Sequence, residues 1–500
     1  MGLNASLAIA SSGLSALQSE MAVASQNVAN AGTAGYAKET ASVSSRTAGG
    51  QGGGVLIGLT GRIVDTALQS SLYAQNATVS ALATTSNALA PIGILQGSTS
   101  ADSGSSNTLS DAVGNLQTSL TTLESAPANE ASQQAVLTAA GTLTSNIQAT
   151  AGAYQTQRQA AQEGIVDDVG TANTNLALIG SLSSKISDER INGVSTADLE
   201  NQRATAMTAL SNVLSVQFKE TSTGDMLVST ANGLSLPTHA TSGPLSTSDA
   251  NITVANAYPA SIPAISLNGK DVTTSLTGGS LGANITLRDQ TLPTMQGELD
   301  SYSQALASRF DAQGVTLFTD ASGNLPAAST TAVSPAGQVG FANVIQVNPL
   351  VTATPSLIRD GTSATTSSDA TASSTTVIDK LLDYALGSQV QAGTAQPAAS
   401  STGLGINGNL SSSYRGNSDL LSLASTLTAA QGSTISQASS SLTSATAVQT
   451  SLTSKVATVS GVSVDDEMSS IVTLQNAYAA NAKVVSAVQS MFSALLTAID

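Results

Sequence analysis

The sequence predicts a mainly α-helical protein with β inserts, in which N- and C-terminal coiled-coil helices enclose a helical-bundle middle domain and one or more small β domains. Three observations carry this. Apolar residues recur at three- and four-residue spacing at both ends of the chain. The same spacing returns through the middle, while β-branched alternation between turn residues is confined to central stretches. Hydrophobic residues make up 41% of the chain but aromatic ones only 3%, so Ala, Leu, Val and Ile must fill the interior, which favours closely packed helices.

At the amino end, Leu3, Leu7, Ala10, Leu14, Leu17, Met21, Ala24 and Val28 form a coiled-coil seam. The other faces carry Ser, Ala, Gln and Asn, with Glu20 the only charge, so the helix has too narrow an apolar stripe to form a core alone. At the carboxy end, Ile471, Leu474, Tyr478, Asn481, Val485, Val488, Phe492, Leu495 and Ile499 repeat in the same way, with Asn481 the only polar member. Ser463 ahead of Val464, Asp465 and Asp466 reads as an N-cap with acids in the first turn. Chain ends usually fray, so seams at both termini predict that the ends find partners by assembly.

Between these helices, residues 32–63 are rich in Gly and Ser, with an apolar segment at 55–59, and predict a loop with a strand or hairpin. A helical pattern runs from Asp65 to about Gln162, broken at Pro91, at the Ser/Gly tract 97–107 and at Pro127. Further helices are predicted over 165–190 and 197–214. Residues 216–287 change to β-branched alternation with turns such as Asn268-Gly269 and predict a small β domain. A helix is expected over about 291–312, where Leu292, Met295, Leu299, Tyr302 and Leu306 keep helical spacing. Residues 316–400 are Ser/Thr/Ala-rich and predict a second β region or partial disorder. A long helix over about 418–458 leads into the last one. The domains expected are therefore 1–45 with 461–500, the terminal coiled-coil assembly domain; 46–215 with 288–315 and 401–460, an elongated helical domain; the β domain 216–287; and the region 316–400.

The net charge is −16, from 16 basic and 32 acidic side chains. That balance repels phosphate backbones and anionic lipids and disfavours nucleic acid and membrane partners. The absence of Cys removes disulfides and thiolate metal sites. No Lys or Arg precedes Lys38, so the amino terminus does not read as a cleaved secretory leader.

No catalytic, cofactor or metal constellation emerges. His239 is the only histidine, in a loop-like Leu236-Pro237-Thr238 context; a His-based metal site normally needs several imidazoles or thiolates, and no nucleophile-elbow sequence accompanies it. Asp167-Asp168 and Asp465-Asp466-Glu467 offer paired carboxylates, but the second group has a simpler reading as helix N-terminal acids. Asp320 to Asn324 reads as a β-turn, since a calcium loop would require a later bidentate Glu. The glycine run 49–54 lacks the strand and helix of a dinucleotide fingerprint. Tyr36 and Tyr478 read as packing residues.

Residues 27–39, NVANAGTAGYAKE, resemble the signature that follows the first helix in flagellar rod, hook and hook-associated axial proteins, with Asn27, Ala29, Asn30, Thr33, Gly35 and Tyr36 matching it and Ala34 standing where Pro is usual. SGVSVDDEM (460–468) and QNAYAANAKVVS (475–486) look like the carboxy-terminal signature of the same family. Gly54, Val55, Gly58, Arg62 and Asp65, then Asn201-Gln202-Arg203, and above all GGSLGANITLRDQTLP (278–293) are similar to its hook-associated branch. The resemblance implies a non-enzymatic adaptor ring between hook and filament. It also implies the hook protein, hook-associated protein 3, an export chaperone and further copies of the chain as partners, with export unfolded to the extracellular flagellum. The assembly seam would comprise Leu3, Leu7, Leu14, Leu17, Met21 and Val28 with Ile471, Leu474, Tyr478, Val485, Val488, Phe492, Leu495 and Ile499. The alternatives are another flagellar axial protein, such as hook or filament protein, and a secreted surface adhesin or enzyme.

Overall fold

The computed structural model describes residues 2–33, 35–48, 51–97, 108–240, 243–326, 338–362, 373–397, 401–412 and 418–497. Helix α1 (Leu3–Asn30) spans the amino-terminal seam. Strands β1 (Glu39–Thr40), β2 (Val43–Ala48), β3 (Gln51–Ile57) and β4 (Gly61–Arg62) follow as two nested antiparallel pairs. The outer pair places Glu39 opposite Arg62. The inner hairpin lies on α1, where Val55 N–H donates to Ser12 Oγ at 3.1 Å.

Helix α2 (Thr66–Gln96) starts at an Asp65 cap that accepts from the backbone N–H groups of Ala67 and Leu68, both at 3.0 Å. The expected break at Pro91 does not occur. Pro91 costs one backbone hydrogen bond, but Leu89 and Ile92 on either side are fully buried and hold the turn in the core. Helix α2 is long and apolar enough, by length and composition alone, to cross a membrane; here it packs along other helices of the body.

After α3 (Leu109–Ser125), which begins with a Thr108/Asp111 capping box, comes α4 (Glu130–Ile191). It is one helix of 62 residues, roughly 90 Å long. The separate helices expected before Gln162 and after 165 are therefore continuous. The reason is the unbroken burial at helical spacing: Ala151, Tyr154, Ala161, Ile165, Val169, Ala172, Leu176 and Ile179 all face cores. Helix α5 (Ala197–Val213) folds back on α4.

Two three-stranded antiparallel sheets then form the expected β insert: β5 (Val216–Glu220), β6 (Met226–Thr230) and β7 (Ser235–Leu236), and β8 (Leu245–Ser246), β9 (Ser266–Leu267) and β10 (Lys270–Asp271). Asn268 (φ 52°) and Gly269 (φ 80°) make the two-residue hairpin between β9 and β10. The insert ends earlier than expected, because α6 (Gly279–Thr286) is already helical and continues through a π-helical turn, Leu287–Thr291, into α7 (Leu292–Ala312). Gly279 marks the start for a steric reason: at φ 62° it lies so close to the Val213 carbonyl that a Cβ would overlap it at 2.3 Å. The π turn buries Arg288 completely, and its guanidinium donates to Asp289 and to Gln162 Oε1 at 2.7 Å.

The region 316–400 is not a β domain in its described parts. It contains short helices α8 (Phe341–Val344), α9 (Pro349–Ala353), α10 (Leu357–Asp360) and α11 (Thr376–Lys380), with the strand pair β11 (Phe318–Thr319) and β12 (Gln346–Val347) and another pair at 389–395. Phe341, Ile345, Val351, Ile358, Ile378 and Leu381 are buried in the main core with α3, α4 and α7, so tertiary burial outweighs the Ser/Thr-rich composition. The tracts 327–337, 363–372 and 398–400, and most of the tract expected at 97–107, lie outside the described residues. Helices α12 (Leu420–Ser460) and α13 (Val464–Thr497) complete the chain. Helix α12 runs antiparallel to α2: Gln75 Nε2 donates to Ala445 O, and Gly93 faces Ile435.

Candidate assembly interface

The two seams meet within one chain. Helices α1 and α13 pack antiparallel: Asn481 Nδ2 donates to Ala10 O at 3.1 Å, Gln18 Nε2 to Tyr478 Oη at 3.4 Å, and Asn27 Nδ2 to Glu467 Oε2 at 3.3 Å. Leu3, Leu7, Leu14, Leu17, Met21 and Val28 are half-buried, as are Ile471, Leu474, Tyr478, Val485 and Phe492, while Val488 is buried. Leu495 is exposed and Ile499 lies outside the described residues. Asn481, the polar member of the stripe, is satisfied by a backbone carbonyl, and Gly13 makes that approach possible. A Cβ at Gly13 would stand 2.6 Å from Asn481 Nδ2. Periodicity alone missed Gly13; a lone Gly inside a seam helix was the available signal.

The pair buries little on its own. The residues fully buried on α1 are Ala10, Ala16, Ala24 and Asn27. On α13 further apolar residues are exposed on both flanks of the seam: Val464, Met468 and Val472 on one side, Val484 and Met491 on the other. These flanks were not singled out from the sequence.

At the base of the pair the signature residues build a polar joint. Asn27 is buried and uses all of its hydrogen-bonding capacity. Its Oδ1 accepts from Glu39 N–H (2.9 Å) and Tyr36 Oη (3.0 Å), and its Nδ2 donates to Glu39 O (2.9 Å) and Glu467. Glu467, read from sequence as a first-turn acid, is buried here and accepts an ion pair from Lys38 Nζ at 2.5 Å. Ser463 is close to the expected cap, with Asp466 N–H at 3.4 Å from its Oγ. Lys38 N–H donates to Ser460 O (2.7 Å), fastening the end of α12. Asn201 on α5 accepts from Ala37 N–H (3.1 Å) and donates to Glu39 Oε1 (3.0 Å), fastening the body.

Thr33 and Asn30 close the turn after α1, Gly35 supplies a left-handed φ of 82°, and Ala29 is exposed; Ala34 lies outside the described residues. Burial, and then the charges of Glu39 and Asp198, push the Tyr36 phenol well above its ordinary range, so it stays a neutral donor. Burial and the neighbouring Asp198 also raise the Glu39 carboxyl.

The other residues singled out lie elsewhere. His239 is half-exposed, with Nε2 2.9 Å from Asp225 Oδ1. Asp168 accepts from Ser280 Oγ and Asn284 Nδ2 and ties α6 to α4. Asp320 accepts from the Ser322 and Asn324 N–H groups, a turn geometry. Among the described residues, no group of three His, Cys, Asp or Glu side chains is arranged to hold a metal ion.

Comparison with known proteins gives the following. Residues 99–325 match the model of the flagellar hook-associated protein FlgK helical domain, 455–498 that of the flagellar basal body rod FlgEFG protein C-terminal region, and 7–36 that of the flagella basal body rod protein. Flagellar hook-associated protein 1 of Salmonella typhimurium is 28% identical over 324 residues, covering 63% of this chain and 57% of that protein. The Escherichia coli protein of the same name is 27% identical over 324 residues, covering 63% and 58%. The chain thus spans little more than half the length of these relatives. A solved structure of the flagellar hook junction protein FlgK from Burkholderia pseudomallei aligns with a TM-score of 0.39 at 25% identity, over 51% of this chain and 45% of that one.

Proposed function

We propose that the chain is a member of the flagellar hook-associated proteins, whose helical-domain model matches residues 99–325, and a non-enzymatic structural subunit of the bacterial flagellum, an adaptor ring joining hook to filament. The observation that carries this reading is the α1–α13 pair, two antiparallel helices with large apolar residues of α13 left exposed on both flanks of their seam. Two helices that bury chiefly Ala and one another do not offset roughly 1–2 kcal/mol of backbone entropy per ordered residue. Equivalent helices of adjacent subunits would cover Val464, Met468, Val472, Val484 and Met491 and complete the core.

On this reading the partners are further copies of the chain, hook protein on one side and hook-associated protein 3 on the other, with an export chaperone holding the chain before assembly. Export on this reading is in an unfolded state. A chain with no Cys and 3% aromatic residues, and with terminal helices that gain most of their burial from neighbours, suits that route.

The test is to replace Leu14 and Leu17 with Asp in the full chain. Incorporation at the hook–filament junction, followed by labelled microscopy, is abolished while the melting of the central body is nearly unchanged. Normal incorporation of this variant overturns the reading.

A further inference from the structure

Beside the polar joint, a half-open groove runs between the start of α2, helix α5 and the β5–β6 hairpin. Its charged lining consists of Arg62, Arg203 and Lys219 against Glu200 and Glu220. The carboxylates are already engaged. Glu200 Oε1 accepts from Arg190 Nη2 (2.9 Å) and Thr196 Oγ1 (2.7 Å), and Glu220 takes Arg190 (2.7 Å) and Arg203 (3.2 Å). Arg203 is further satisfied by Gly224 O at 2.6 Å.

Arg62 is the least well paired of these cations. Its side chain is only 11% exposed and its Nε stands 3.7 Å from Glu200 Oε2. Both Nε and Nη1 are buried without a hydrogen-bond partner. Arg190, Glu39 and Asp198 border the cluster and its charges balance, so what Arg62 lacks is not a counter-charge but hydrogen-bond acceptors at these two nitrogens. A buried guanidinium without acceptors is costly unless a partner supplies one.

We infer that this groove receives one carboxylate side chain from a second copy of the chain, so that Arg62 acts as an intersubunit anchor. The inference rests on the proposed self-assembly. The two sides are complementary: Arg62 lacks acceptors at two buried nitrogens, and every copy carries 32 acidic against 16 basic side chains. The incoming carboxylate accepts from Arg62 and lies within reach of Lys219, which is exposed at the groove's edge.

The experiment uses the full chain as an assembled mixture of isotope-labelled and unlabelled copies, treated with a carbodiimide, which joins an amine to a carboxylate without a spacer. The expected product is a mixed-isotope peptide linking Lys219 of one copy to an Asp or Glu of another. In Arg62→Gln its yield falls roughly tenfold, while Arg62→Lys retains part of it. Lys219 links found only within single copies of the assembled wild type overturn the inference without any variant, and so does an undiminished yield in a folded Arg62→Gln protein. If the Leu14/Leu17→Asp chain assembles normally, the functional reading itself fails. If that variant does not assemble but wild-type assemblies lack the Lys219 link, only the groove assignment fails.

Discussion

Asn27 and Glu467 stand 440 positions apart in the chain, and their side chains meet at 3.3 Å. Through this contact the first helix is fastened to the start of the last, and Glu39, Tyr36 and Lys38 complete the joint from the connecting turn.

Replacing Asn27 with Ala removes two donors and two acceptors from a buried site and leaves the Glu39 backbone N–H and carbonyl without partners. A loss of about 2–4 kcal/mol of local stability is expected. It is read as faster amide hydrogen exchange over residues 20–40 and 464–475, with little change in α4. Equal exchange in both proteins contradicts the role given to Asn27.

Gly13 makes room for the Asn481 amide between the terminal helices. Gly13→Leu displaces the Asn481 amide from Ala10 O, because even the first side-chain carbon overlaps Asn481 Nδ2, and costs about 1–3 kcal/mol of pairing. Asn481→Ala opens space at the same point, so the two changes are non-additive in a double-mutant cycle. Strictly additive melting shifts count against the contact.

Two glycines of α4 respond in opposite directions to the same substitution. At Gly170 nothing lies within 4 Å of an added Cβ, so Gly170→Ala gains about 0.5–1 kcal/mol of helix propensity. At Gly180 the Cβ falls 2.1 Å from Thr238 O. Backbone overlap then outweighs propensity, and Gly180→Ala destabilises by about 1–3 kcal/mol as the loop is displaced. Denaturant midpoints of the two variants decide this directly.

Asp300 gives a pH signature. Burial pushes its carboxyl up to about 6, even though it accepts from the Gly340 and Ala342 N–H groups and from Gln296. A folded-state pKa above the unfolded one means that the native state holds the proton more tightly. The contribution is therefore fully present below about pH 4 and is lost as pH rises through about 6, on the order of 3 kcal/mol in all. Stability of wild type minus Asp300→Asn should fall over that window in urea titrations. A flat difference excludes the assignment.

How much of this was legible beforehand follows from the range of the interactions. The terminal helices, α5, α12 and the Asn268-Gly269 hairpin were readable because caps, turns and seam periodicity act over a few residues. The chain's signature residues were visible as a motif, but their purpose was not. Asn27 needs Glu467, and Asn201 needs Ala37 and Glu39, and nothing local encodes those meetings. The continuity of α2 through Pro91 and of α4 across 162–165, and the helical turns within 338–385, were likewise decided by tertiary structure. There the burial of residues such as Leu89, Ile92, Ile165 and Phe341 overrides local breakers and polar composition. Arg62 shows the limit most clearly: sequence gives the cation, but only the folded chain determines that its neighbours' carboxylates are already engaged, because pairing depends on distances between elements far apart in the chain.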